Sequence, residues 1–435
     1  MKNNHRFTRG MYTCVSVLLP GLASAQESAA IDSGDTAWLL SATALVLFMT
    51  LPGLALFYGG LVRSKNVLSI IIQCFAIAAL ASIVWLAVGY SIAFGDGGSH
   101  QAWTGGFAKS WLGNVSAASV SGRVPEYLFF MFQLTFAAIT PALVIGAFAE
   151  RMKFSAVLLF STGWLLLVYA PVAHWVWGGG WLAKLGAMDF AGGIVVHITA
   201  GVSAMVCALV MGRRRGFPQV SMPPHSLPLT AAGAGMLWVG WYGFNGGSAL
   251  AANSSAAAAL LATHLGASAG ALSWMAVEWR RYGKPSLLGI LTGMVAGLGT
   301  ITPASGFVSP LAAVCIGAVA GVVCYYATHL FKQIWRLDDS LDVSPVHGVG
   351  GVLGTLLTGV FASPLLGGAG FSVSSGIARQ LGIQAGSILV VVTWCVLVTW
   401  VLLKALSLTV GLRVGEEQES EGLDLSSHGE RGYIE

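Results

Sequence analysis

Charge is scarce in this sequence. Asp, Glu, Lys and Arg make up 9% of the 435 residues, against 55% hydrophobic residues, and the mean hydropathy is +0.75. A water-soluble domain cannot bury that much apolar surface, so the composition is that of a polytopic membrane protein. The formal net charge is only +4, and the basic residues sit in short clusters between apolar runs, which excludes a nucleic-acid-binding role. Cysteine is sparse as well. Cys14 lies near the N-terminus, and Cys74, Cys207, Cys315, Cys324 and Cys395 fall inside apolar runs with no CxxC or CxxH pairing. That leaves no disulfide or zinc framework, and the thiols read as packing residues. The sequence also lacks a nucleophile–base pair, a metal cluster and a filter-like carbonyl segment. Those gaps count against an enzyme, a resident cofactor and a potassium channel.

What is present is a series of apolar runs. The first 25 residues join Lys2, Arg6 and Arg9 to a short apolar stretch and a small-residue "ASA" end, which reads as a cleaved signal peptide; the alternative is a short first helix. Eleven runs of spanning length come after it, near 36–62, 67–94, 125–149, 153–176, 190–212, 227–246, 250–276, 286–301, 308–331, 345–362 and 381–406. They divide the chain into a leader (1–25), an eleven-helix membrane domain (26–406) and a cytoplasmic tail (407–435). Loops after odd-numbered spans hold Arg63, Lys65, Arg151, Lys153, Arg213 to Arg215, Arg280, Arg281, Lys284, Lys332 and Arg336. The other loops hold only Lys109, Arg123, Lys184 and Arg379. This asymmetry predicts an outside N-terminus and an inside C-terminus.

Five crossings leave the next five running in the opposite sense, so spans one to five and six to ten can form two inverted halves with one helix left over. Asp189 precedes His197 in the fifth span and Asp342 precedes His347 in the tenth, which hints at such a repeat although the spacings are eight and five. A histidine in a membrane span is either a hydrogen-bonded packing group or part of a conduction path. Two at matching depth in opposed halves would make a neutral imidazole pair able to pass a proton, with no third ligand beside it for a metal. Aromatic residues mark the opposite ends of neighbouring spans. Trp175, Trp181 and Trp238 read as interfacial belt residues, whereas Trp177 is followed by three glycines and Phe244 stands one turn before Ser248. Aromatic faces beside a hydroxyl suit a small cation. Asp189 reads as a helix N-cap in preference to a direct cation ligand.

The stretches "DFAGGIVVHITAG", "GWYGFNGGSA", "AHWVWGGG", "GAFAERMKFSAVLLF", "KPSLLGILTGMVAGLGTITPASGF" and "DVSPVHGVGGVLGTLLTGVFA" resemble the ammonium transporters of the Amt/Mep/Rh family, bacterial Amt type. The resemblance runs from about residue 36 to the C-terminus. It implies an all-α homotrimer of eleven-helix subunits in a bacterial inner membrane, each with its own apolar pore. It also implies roles for particular residues. Phe132, Phe136, Trp177 and Ser248 match an external ammonium recruitment site, with Phe132 toward the subunit contact. Phe136 and Phe244 match a phenyl gate, His197 and His347 the pore histidines, Asp189 a structural carboxylate near the vestibule, and Trp241 a pore-side aromatic. The tail resembles the family's docking region for PII-type signal proteins. Two departures stand out: Pro345, two residues before His347, and Leu134 with Thr135 beside the vestibule.

The residues therefore predict a transporter that recruits ammonium, or methylammonium, and conducts ammonia past the histidines while a proton crosses separately. Alternative readings are an electroneutral gas channel and a sensor acting through the acidic tail residues Glu416, Glu417, Glu419 and Glu421, which otherwise read as a solvated end. Asn114 and Asn253 begin N-x-S sequons that matter only in a eukaryotic secretory route.

Overall fold

The computed structural model describes residues 31–433, apart from 372, 374 and 375. The leader expected at 1–25 lies outside the described residues. Among those described, nine helices are long and apolar enough to cross a membrane: α1 (Ser33–Leu61), α2 (Ser64–Phe94), α3 (Glu126–Ala147), α4 (Phe154–Leu185), α5 (Gly193–Met211), α7 (Ser254–Tyr282), α9 (Pro310–Ile334), α10 (Ser344–Phe361) and α11 (Ile377–Thr409). The sixth and eighth expected spans are helical too, as α6 (Leu227–Gly247) and α8 (Leu287–Ile301). Glycine dilutes the hydropathy of α6. With its 15 residues, α8 is about 22 Å long, short of a hydrocarbon core of about 30 Å. Two short helices, α12 (Glu416–Glu421) and α13 (Leu423–His428), close the chain.

Local chemistry explains where these helices start. Ser226, Asn253, Ser286 and Ser309 cap α6, α7, α8 and α9 through their side-chain oxygens, which satisfies amides that have no partner within the helix. Close packing relies on small residues. Gly270 of α7 faces the backbone of Gly293 and Gly297 in α8, and Gly317 of α9 faces Gly266, so the three helices meet backbone to backbone. Pro345 lies in the first turn of α10, which is π-helical over Ser344–Val349, a position where a missing N–H leaves no intrahelical bond unmade.

Three readings of the sequence need correction. The partner of Asp189 in the second half is Asp339, not Asp342: its Oδ2 accepts the Ser344 amide at 2.6 Å at the start of α10, while Asp342 pairs with Lys332 at 2.7 Å. The spacing to the histidine is then eight residues in both halves. Trp175 is not a belt residue, since it is buried and its indole N–H donates to the Trp103 carbonyl at 2.7 Å. The tail is a solvated end only in part: Glu416, Glu417 and Glu421 are exposed, but Glu419, like Asp424 beyond it, is only 3% exposed.

The basic loops form a connected layer. Glu150 pairs with Arg63 at 3.0 Å and with Arg214 at 2.9 Å, and Arg214 pairs with Asp338 at 2.8 Å. Burial works against the Arg214 charge, yet Asp338 and Glu150 hold its pKa above the ordinary arginine value. Arg151 is fully buried and donates to the carbonyls of Ala147, Asp338 and Gly212 and to Ser340 Oγ. The tail docks on this layer: Arg413 bridges to Met152, Glu419 accepts the Arg215 amide at 2.7 Å, and Asp424 accepts the amides of Leu68 and Ser69.

Candidate functional site

A cavity of about 270 Å³ opens on the face opposite the basic loops, lined among others by Phe132, Gln133, Phe136, Trp177 and Ser248. Local structure places each group. α4 breaks after Val176 at Trp177 and its three glycines, and the Trp177 indole N–H donates to the Asp189 carbonyl at 2.9 Å, which fixes the ring. The ring stands perpendicular to Phe136, at 88° and 5.9 Å between centroids. Ser248 follows the last turn of α6 and donates its hydroxyl hydrogen to the Phe244 carbonyl at 2.8 Å. Its oxygen lone pairs are thereby left to accept from a guest. Aromatic faces and a hydroxyl acceptor are the groups that can replace part of the water shell of a small cation.

Phe136 and Phe244 close the floor of this cavity. Their centroids are 4.3 Å apart at an interplanar angle of 34°, and both rings are 1% exposed. Below them lies a slender space of about 10 Å³ among Leu54, Ile139, Leu237, Val295, Trp241 and the two histidines. The Trp241 indole donates to Thr302 Oγ1 at 2.9 Å and stacks against His197 at 5.5 Å and 19°.

The histidine pair is built by reciprocal contacts. His197 Nδ1 and His347 Nδ1 are 3.1 Å apart, so one nitrogen must donate and the other accept, and the two rings hold opposite tautomers. One Nε2 is then an acceptor and the other a donor; His197 Nε2 has no partner among the described residues. Each histidine belongs to a π-helical first turn, Gly193–Ile198 or Ser344–Val349, a local widening found at functional sites. Four residues beyond each histidine a glycine allows the approach: Gly201 lies against the Gly348 backbone, and Gly351 against the Gly193 carbonyl and His197.

Asp189 holds the first of these turns. Its Oδ1 accepts the amides of Gly192 and Gly193 at 2.8 and 2.6 Å, and its Oδ2 those of Ile194 and Val195 at 2.8 and 3.0 Å. Four donors use the four lone-pair directions of a carboxylate, so Asp189 acts as a cap with nothing left for a cation. Gly192, at φ 123°, makes the turn that lets a residue so far upstream reach the helix end.

A second cavity of about 110 Å³ opens beyond His347 toward the basic loops, with Tyr58, Lys332, Ser340 and Asp342 in its wall. The short α8 supplies Leu288 and Thr292 to the same wall. Of the sequence-predicted residues, Phe132, Phe136, Trp177 and Ser248 line the first cavity, and Phe244, Trp241, His197 and His347 the slender space, whereas Asp189 faces its own helix. Sequence reasoning misses Gln133, Thr302 and Asp339. In the sequence Asp339 is masked by Asp342, which stands nearer to His347, and nothing connects Thr302 to Trp241. Among the described residues no three His, Cys, Asp or Glu side chains gather to hold a metal ion.

Comparison with known proteins gives a consistent picture. The model of the Ammonium Transporter Family matches residues 37–433. An ammonium transporter of Aquifex aeolicus is 48% identical over 425 residues, covering 98% of this chain and 99% of that protein. Among solved structures, a sensor Amt protein superposes with a TM-score of 0.85 at 30% identity, covering 91% of this chain and 98% of its own. Mep2 of Saccharomyces cerevisiae superposes with a TM-score of 0.82 at 36% identity, covering 94% and 95%.

Proposed function

Because this chain belongs to the ammonium transporter family, a family of multi-pass membrane proteins and not of enzymes, we propose that it takes up ammonium across a bacterial inner membrane. In this reading the eleven helices all span and the chain works as a homotrimer. The aromatic cavity faces outward, and the basic loops and tail face the cytoplasm, where a PII-type protein can dock. Ammonium is recruited among Phe132, Phe136, Trp177 and Ser248. It gives up a proton at the Phe136–Phe244 gate and crosses as ammonia. The proton passes separately through the histidine pair, so the net event carries charge.

The contact of His197 with His347 in a slender apolar space is the observation that carries this reading. A bare cation entering that space would lose its hydration at a cost of several kcal/mol or more, whereas neutral ammonia loses little. Opposite tautomers give a passing ammonia one donor and one acceptor, and they give a proton a way from ring to ring. Potassium has no proton to shed and meets the full penalty.

The test is the current after an ammonium jump on proteoliposomes. The unaltered protein should give a current absent with potassium, and His197→Ala with His347→Ala should abolish it while the protein still elutes as a folded species. Rapid internal pH change with no current would replace the electrogenic reading with neutral gas conduction.

A further inference from the structure

We propose that His174 is a positioning residue, protonated on both ring nitrogens, that holds the outer wall of the aromatic cavity in shape; this rests on that cavity being where ammonium is recruited. His174 lies in α4, one turn before Trp177, and is fully buried. Its Nδ1 stands 2.9 Å from the Ala93 carbonyl oxygen and its Nε2 2.8 Å from the Gln101 carbonyl oxygen. A carbonyl oxygen can only accept, and a neutral imidazole has one N–H. A neutral ring would therefore hold one nitrogen lone pair against an oxygen lone pair at hydrogen-bond distance. Two N–H groups satisfy both contacts, and they make the ring an imidazolium.

The surroundings suit that charge. Ala93 belongs to the last turn of α2, where carbonyls lack a helical donor and the helix dipole presents its negative end. A charged ring also makes stronger bonds to both oxygens than a neutral one. The acidic groups nearby are engaged elsewhere. Glu126 of α3 accepts from Tyr90 of α2 and pairs with Lys109, Asp96 in the loop after α2 accepts the Gly98 amide, and Asp189 spends its oxygens on four amides. Among the described residues, His100 of that loop and Lys184 of α4 make no hydrogen bond or ion pair with the ring.

The clamp joins separate parts of the cavity wall. Ala93 precedes Phe94, and Phe94 and Trp177 both line the cavity. Gln101 adds its side chain, whose Nε2 donates to the Gly178 carbonyl at 3.0 Å, and the Trp181 amide donates to the Ala102 carbonyl at 3.0 Å. The glycines after Trp177 make room for the ring. A Cβ at Gly178 would strike the Ala93 carbonyl and His174 Nδ1, and one at Gly180 would strike the His174 carbonyl. Loss of one ring proton would free one end of the clamp, and the loop carrying Gln101 would loosen its hold on the backbone beside Trp177. Affinity for ammonium should then fall as pH rises through the titration of His174.

The test has two readouts on the full-length protein in proteoliposomes. The first is nitrogen NMR with isotope labels on alanine and histidine, which singles out His174 because an Ala–His step, Ala173–His174, occurs once in the sequence. Both ring nitrogens should carry protons at about pH 6. The second is ammonium current against concentration. At about pH 6, His174→Gln should raise the half-saturating ammonium concentration about tenfold, with a smaller change in the saturating current. The unaltered protein should approach the variant as pH rises to about 8. Both proteins share the speciation of ammonium and the pore histidines, so their ratio isolates His174. Gln101→Ala, which cuts the link to Gly178 and keeps the ring, should raise the half-saturating concentration in the same direction and flatten its pH dependence. A His174 nitrogen without a proton at about pH 6 overturns the charged clamp, and a ratio that stays constant with pH overturns the positioning role. Absence of any ammonium current from the unaltered protein overturns the recruitment reading instead, and the nitrogen spectra still decide the charge.

Discussion

The two histidine-bearing helices are near copies placed upside down, and they differ at their capping carboxylates. Asp189 and Asp339 each precede a histidine by eight residues, and the two histidines meet at Nδ1. The residue after each carboxylate donates its amide to the end of a helix in the other half, Phe190 to the Pro303 carbonyl and Ser340 to the Ala147 carbonyl. Yet Asp189 gathers four amides, whereas Asp339 accepts from Ser344 alone and its Oδ1 has no partner among the described residues. One half is tied down at the aromatic cavity. The other is looser, beside the cavity that opens to the basic loops. A repeated fold can thus give two identical-looking motifs different stiffness, and the difference can be broken or sharpened by substitution.

The largest effect is expected for Asp189→Asn. An amide in place of the carboxylate aims a donor at backbone donors and removes charge from the remaining bonds, a loss of about 3 kcal/mol or more. Thermal melting in detergent should fall steeply, and ammonium flux should fall with it. Next in size is the glycine pair. A methyl at position 201 would press into the Gly348 backbone, which cannot move without shifting His347, whereas one at 351 would meet the Gly193 carbonyl and His197 Cβ at 3.0 Å. Overpacking of this kind costs about 1–3 kcal/mol, so Gly201→Ala should lower the melting temperature more than Gly351→Ala. Equal shifts would mean that the two halves are equally rigid.

How far the sequence reveals this arrangement depends on what each feature rests on. The long helices are legible because a membrane-spanning helix is an apolar run, and α11 differs only in extending to Ile377 and Thr409 through residues too polar to count. The histidines, Trp177, Phe244 and Ser248 stand out because polar or aromatic groups beside glycine interrupt that monotony. Asp339 is easily passed over because Asp342 is nearer to His347 in sequence. Only the geometry shows that a carboxylate eight residues upstream can fold back onto a helix start. The docking of the tail is illegible for a similar reason: Glu419 and Asp424 look like solvated charges until the Arg215, Leu68 and Ser69 amides are brought to them.

A smaller effect separates the pair from its members. If one shared proton links the rings, His197→Ala and His347→Ala should each lower the ammonium current by about tenfold or more, and the double variant should be no worse than either single one. Additive losses in the same current assay would show that the two rings act independently.

The smallest effect is expected at Asp339, and pH sets its sign. Burial, and then the charge of Asp342, push the Asp339 carboxyl above its ordinary value. A raised carboxyl pKa stabilises the fold fully below the unfolded value of about 3.9 and loses that contribution as pH rises through the folded value. The advantage of the unaltered protein over Asp339→Asn should therefore be greatest near pH 4 and shrink to less than about 1 kcal/mol at pH 7, where the loss of one amide bond is offset by removal of a buried charge. The neighbouring Asp338 should behave in the opposite way. Burial opposes its charge, but the bonds from Arg214 draw its pKa below the ordinary value, so its contribution is present above about pH 4 and disappears only as acid protonates it. Melting temperatures of Asp338→Asn and Asp339→Asn, each measured from about pH 2 to 7 against the unaltered protein, should respond in opposite directions: the deficit of Asp338→Asn shrinks as pH falls below about 4, and that of Asp339→Asn shrinks as pH rises above it. If they run parallel, Asp339 is as firmly held as its counterpart Asp189, and the looser half is not loose.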